Sequence, residues 1–115
     1  MEQIKTMDFK KYQDLAQSVA IYPNKGINLT YPVIGLSGEA GEVAEKFKKV
    51  LRDNNGEITQ EIGKSIALEL GDCLWYISDI AFELGYSIEE IAIMNIEKLF
   101  SRKKRGKLSG SGDNR

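Results

Sequence analysis

The stretch Gly35-Leu36-Ser37-Gly38-Glu39-Ala40-Gly41-Glu42-Val43-Ala44-Glu45 carries apolar residues at helical spacing and, within that pattern, two carboxylates three residues apart. At about 100° of rotation per residue, the stripe Leu36, Ala40, Val43, Phe47 puts Glu39 roughly 60° and Glu42 roughly 120° from its centre. A second stretch, Glu69-Leu70-Gly71-Asp72, repeats the arrangement. With Ile66, Leu70, Cys73 and Ile77 as its stripe, Glu69 and Asp72 fall at the same offsets of roughly 60° and 120°, on the same side. Two helices packed by these stripes would bring all four carboxylates into one cleft. Four hard oxygen ligands suit magnesium, with manganese as the alternative cation. Glu45, roughly 180° from the stripe centre, reads as solvated charge. Acids at spacing three are common on solvated faces; here they border an apolar stripe, and each pair encloses a glycine.

Working outward, the pattern predicts four helices and no strand. The first runs from about Asp8 to Ile21, with Phe9, Tyr12, Leu15, Ala16 and Val19 on one face. Tyr22-Pro23-Asn24-Lys25-Gly26 breaks it. The second starts near Pro32, a residue suited to a first helical turn, and ends by about Leu51 before Asp53-Asn54-Asn55-Gly56. The third spans roughly Gln60 to Leu84 and is closed by Gly85. The fourth opens on the capping box Ser87-Ile88-Glu89-Glu90 and continues through Ile91 and Leu99 to about Arg102. The expectation is an all-α, four-helix, bundle-like domain over residues 1–106, then a flexible polar tail over 107–115.

Composition narrows the chemistry. The 115 residues suffice for one domain, small enough that self-association would help to bury its surface. There is no histidine, which removes Ser-His-Asp and Cys-His triads, His-ligated zinc and the Glu-x-x-His di-iron bundle. The single cysteine, Cys73, excludes a disulfide within the chain and is expected to be a buried core thiol. No apolar run is long enough to span a bilayer and no secretory signal is evident, so a cytoplasmic protein without membrane contact is expected. Residues 1–101 carry 10 basic and 16 acidic side chains, whereas the remainder carries 6 basic and one acidic. An acidic body disfavours nucleic acid as a partner. The basic run from Arg102 to Lys107 reads either as a helix-dipole partner or as an arm that reaches a phosphate chain.

The first motif, followed by Glu69-Leu70-Gly71-Asp72-Cys73-Leu74-Trp75-Tyr76 and then by Asn95-Ile96-Glu97-Lys98-Leu99 with Arg102, resembles the MazG-like nucleoside triphosphate pyrophosphohydrolases. One departure stands out: the family often opens its first motif with a double Glu, and Gly38 occupies the first of those positions. The resemblance implies an all-α enzyme that cleaves a nucleoside triphosphate between its α and β phosphates. It also implies that Glu39, Glu42, Glu69 and Asp72 ligate magnesium and serve catalysis. One carboxylate left partly free of metal would take the proton of the attacking water, with Glu42 the candidate. Clearing noncanonical or surplus deoxynucleotides is the role it suggests.

Further residues take roles from that frame. Asn95, Lys98 and Arg102 recur on one flank of the fourth helix, within roughly 60° of one another, as a phosphate and ribose clamp or simply an amphipathic edge. Lys49, with Lys48 and Arg52, either meets phosphates from the end of the second helix or complements its dipole. Tyr76 falls between Glu69 and Asp72 in angle and is expected to border the base, while Trp75 belongs to the core or a subunit interface. Asp79 reads as an outer ligand or as surface charge. The tail is expected either to fold over bound ligand as a lid or to stay a plain tail. Homodimer or homotetramer assembly is expected. A non-enzymatic helical binding or assembly module is the alternative function, and a nucleic-acid-binding protein, resting on the basic tail, a further one.

Overall fold

The computed structural model describes residues 3–115. Four helices follow one another: α1 (Phe9–Ser18), α2 (Thr30–Asp53), α3 (Gln60–Leu84) and α4 (Ile88–Lys104). Among the described residues there is no strand, and no helix is long and apolar enough to cross a membrane. Side-chain caps explain the helix starts, and a left-handed glycine explains the end of α3. Asp8 accepts from the Lys11 N–H at 2.7 Å to open α1, and Thr59 accepts from Ile62 to open α3. Gly85, at φ +82°, closes α3, with the Tyr86 N–H bonded to the Ala81 carbonyl at 2.8 Å. Ser87 and Glu90 form the expected capping box of α4.

Helices α2 and α4 end slightly later than the sequence expectation, at Asp53 and Lys104, and two further boundaries differ for a visible local reason. Helix α1 stops at Ser18, three residues before Ile21, because its apolar run changes period there. Ala20 and Tyr22 turn inward while Val19 and Ile21 stand out, Ile21 at 92% exposure, which is the alternation of extended chain. Helix α2 starts at Thr30, ahead of Pro32, since the Asn28 side chain accepts from the Tyr31 N–H at 3.1 Å and caps the turn early.

Helices α2 and α3 pack along their lengths as a hairpin; α1 lies across α3 and α4, and α4 touches α1 and α3 without reaching α2. The bundle is therefore open. Its radius of gyration is 17.1 Å, against about 13 Å for a compact chain of this length. The buried apolar residues Ala16, Ala20, Tyr22, Ala81 and Ile88 gather where α1 meets α3 and the start of α4, and Val50 lies toward the far end of α2. Elsewhere large apolar side chains face outward, among them Ile34, Phe47, Leu68, Leu70 and Phe100.

Beyond Lys104 the chain has no regular secondary structure. The buried Arg102 donates to the Asp113 carbonyl at 2.8 Å, and Arg105 donates to the Arg115 carbonyl. Arg115 in turn donates to the carbonyls of Lys107, Leu108 and Gly112. The side-chain hydrogen bonds of this segment all go to the end of α4 or to the segment itself, among the described residues.

Candidate metal and nucleotide site

The hairpin brings one carboxylate oxygen from each of Glu39, Glu69 and Asp72 within 4.8 Å of one another. The packing differs from the stripes read in the sequence. Ala40, Phe47 and Leu70 are exposed, whereas Glu39, Val43, Lys46 and Val50 on α2 are partly or wholly covered, as are Ile66, Glu69, Cys73 and Tyr76 on α3. Glu39 and Glu69 thus lie between the two helices. A sequence pattern cannot distinguish an apolar face that packs within the chain from one left open.

Crowding has an electrostatic cost. A hydrogen bond with Glu69 is the main cause holding the Glu39 carboxyl above its ordinary pKa, followed by partial burial and the charges of Asp72, Glu69 and Glu42. A cation placed among the acids would relieve this crowding of like charges. Glu42 stands beside this group with its side chain exposed. Cys73 is half-buried and not the core thiol expected: it adjoins the acids, and burial together with the charges of Glu39, Asp72 and Glu69 raises its pKa and keeps it a thiol.

Lys46 is the residue that sequence reasoning passed over. Its Nζ lies 3.3 Å from a Glu69 oxygen, donates to Ser65 Oγ at 2.6 Å and reaches the Ser65 carbonyl at 3.2 Å. Periodicity held the signal, because seven residues bring Lys46 back to within about 20° of Glu39 on α2. Lys46 and Lys49 line a groove of about 450 Å³ between the two helices, together with Glu61 and Ser65. Lys48 pairs with Glu45 at 3.0 Å, and Arg52 pairs with Asp53 at 2.7 Å.

On the other side of the acids, the Tyr76 ring packs onto α2 at Gly35, where a Cβ would collide with it. Tyr76, Trp75, Tyr22, Tyr31 and Asp79 line a small cavity of about 80 Å³, and Tyr22 stacks on Tyr31 at 5.0 Å. The Trp75 Nε1–H donates to the Ala16 carbonyl at 3.2 Å, tying α3 to α1. Asp79 is 1% exposed and so is not surface charge; it accepts from Gln17 Nε2 at 2.8 Å. Burial raises its pKa, offset in part by Gln17 and Lys25.

Asn95 and Lys98 are exposed on α4, which does not contact α2, and the Arg102 guanidinium is engaged by the tail. One chain therefore does not gather these three around the carboxylates.

The sequence profile of the MazG nucleotide pyrophosphohydrolase domain matches residues 32–106, which span both acidic motifs and α4. The chain belongs to the MazG family. A relative, the Gene 37 protein of Mycobacterium phage L5, is 47% identical over 109 residues, covering 90% of this chain and 96% of that protein. No solved structure matches. Membership makes the chain a MazG-type, all-α protein of a nucleotide pyrophosphohydrolase family, in which metal dependence is general. The match begins at Pro32, so α1 lies outside it, and the three crowded acids all fall within it.

Proposed function

We propose that this MazG-type chain hydrolyses nucleoside triphosphates between the α and β phosphates, giving the monophosphate and pyrophosphate. The observation that carries the reading is the carboxylate group of Glu39, Glu69 and Asp72 inside a MazG domain, with oxygen atoms within 4.8 Å of each other. An all-oxygen set suits magnesium, or manganese, better than zinc or copper. These three would hold the ion with Glu42 as a fourth contributor. When bound, magnesium neutralises phosphate charge and acidifies water toward a usable nucleophile.

The chain's own residues would supply the rest. Glu42, exposed beside the other acids, suits the group that accepts the water proton. Lys49 in the neighbouring groove suits the outer phosphates. Tyr76, between the acids and the aromatic cavity, suits the edge of the base. Asn95, Lys98 and Arg102 would meet the nucleotide from a second subunit, since α4 and α2 of one chain do not touch. The open bundle and its outward apolar side chains favour a homodimer or homotetramer. The proposed setting is the cytoplasmic nucleotide pool, with noncanonical or surplus deoxynucleotides as substrates.

A panel of ribo- and deoxynucleoside triphosphates, incubated with magnesium, tests the reading. Stoichiometric monophosphate and pyrophosphate without orthophosphate is the expected result. Orthophosphate release, or no turnover of any member, would reject it. A helical assembly module is the competing function; it predicts no magnesium-dependent rise in melting temperature, whereas a ligand site gives one that grows with concentration.

A further inference from the structure

We propose that Lys46 is a positioning residue that acts as a built-in counter-cation for Glu69, weakening divalent-cation binding until a polyphosphate offers it another anion. This rests on the reading that Glu39, Glu69 and Asp72 hold a divalent cation. The geometry is specific. Lys46 reaches across from α2 to α3, and its ammonium group is fixed by two oxygens of Ser65 while standing 3.3 Å from Glu69. The pair is largely shielded, with side-chain exposures of 32% for Lys46 and 18% for Glu69, so its charges are screened less than those of a surface pair. A cation entering among the three acids would meet a fixed positive charge only a few ångströms away, and that repulsion lowers its affinity.

Lys46 also lines the groove next to this pair, where Lys49 contributes a second positive charge and Glu61 and Asp53 contribute carboxylates, Asp53 being paired with Arg52. Phosphate oxygens laid along this groove would compete with Glu69 for Lys46. Each ligand then makes room for the other: polyphosphate draws Lys46 from Glu69, and the freed carboxylate binds the cation more strongly. Such coupling is reciprocal by thermodynamic necessity. It would keep the site from closing on a cation before nucleotide arrives.

The test uses Mn2+ as the probe and needs no turnover. Free Mn2+ is titrated by electron paramagnetic resonance against the full-length wild type, Lys46→Met, Lys46→Arg and Glu39→Gln, with thermal melts to establish folding. Lys46→Met should bind Mn2+ about three- to tenfold more tightly than wild type, and Lys46→Arg, which keeps the charge, within about twofold of wild type. In turnover assays Lys46→Met should raise KM for nucleotide more than it changes kcat, and Lys46→Arg should restore it. Equal or weaker Mn2+ binding by a folded Lys46→Met overturns the inference while leaving the metal site intact. Equal Mn2+ binding by wild type and Glu39→Gln overturns the metal site itself, and this inference with it.

Discussion

Helix α3 carries two acidic pairs and treats them in opposite ways. Asp79 and Glu83, near its carboxyl end, are supplied with donors. Glu83 accepts from the Gly26 N–H at 2.7 Å, the Asn28 N–H at 2.5 Å and the Tyr22 hydroxyl at 3.0 Å, and Asp79 accepts from Gln17. Burial alone would raise the Glu83 pKa, but these bonds and the nearby charge of Lys25 bring it below its ordinary value. Glu69 and Asp72, about three turns earlier, meet mainly other carboxylates. Among the described residues, their one close cation is Lys46 on Glu69. Glu83 is fully supplied within the chain, and with Asp79 it holds α1, the following loop and α3 together. The second pair is left electrostatically unfinished, which costs stability and, in the proposed function, suits a cation that would finish it.

The largest effect expected from that contrast is on activity. Glu39→Gln or Asp72→Asn should lower turnover by about two orders of magnitude or more, since even groups that only support a ligand are worth about 10–100-fold. The metal-free melting temperature should hold or rise, because each change removes a charge from a crowded group. Glu45→Gln, on a carboxylate paired with Lys48, is the control and should leave both nearly unchanged. Near-full activity of Asp72→Asn at low magnesium would remove Asp72 from the ligand set.

Removing the Glu83 carboxylate should instead lower stability. Glu83→Gln withdraws a charged acceptor from two backbone N–H groups and a hydroxyl, and should cost about 2 kcal/mol in urea melts at neutral pH. The sign of its pH dependence follows from the lowered pKa. The stabilisation is fully present above the unfolded value of about 4.3 and is lost as pH falls through the lower folded value. The gap between wild type and variant should therefore shrink in acid; a gap independent of pH would mean that Glu83 acts by packing alone.

Asp79→Asn sharpens the comparison, because here the charge itself is the liability. Its folded pKa is raised, so ionising Asp79 lowers stability as pH climbs through its unfolded value near about 3.9 toward the folded one. An amide escapes that penalty and offers an N–H to Gln17 Oε1, which is buried without a partner among the described residues. The variant should gain up to about 1 kcal/mol at neutral pH. A loss of similar size would show that the carboxylate itself is required there.

What could be read in advance divides along the same line. The caps at Asp8, Thr59, Gly85 and Ser87 are local hydrogen-bonding chemistry, so the helices and the α3–α4 corner were legible from a few residues each. Glu39, Glu69 and Asp72 were legible as a group because helical spacing fixes their relative angles. Which face of α2 meets α3 was not: Ala40, Phe47 and Leu70 are as apolar as a core stripe yet remain outside. Glu83 and Gln17 gave no signal, since their partners lie 55 to 62 residues away along the chain and only the fold brings them together.

The smallest expected effect probes the outer flank of the hairpin. Gly41 and Gly71 sit in helix interiors between the paired acids, and a Cβ added at either would meet nothing within 4 Å among the described residues. Nothing within the chain therefore offsets the conformational cost of glycine, and Gly41→Ala or Gly71→Ala should stabilise the isolated chain by about 0.5–1 kcal/mol each. Should a second subunit pack its backbone against this flank, the same methyl groups would keep it away. Melting at low protein concentration, read beside sedimentation at high concentration, separates the two effects. A rise in stability with weakened self-association would place the subunit contact against the acidic motifs, where residues of a neighbouring α4 could reach the nucleotide. A rise with unchanged association would put that contact elsewhere, on faces such as those of Ile34 or Phe100.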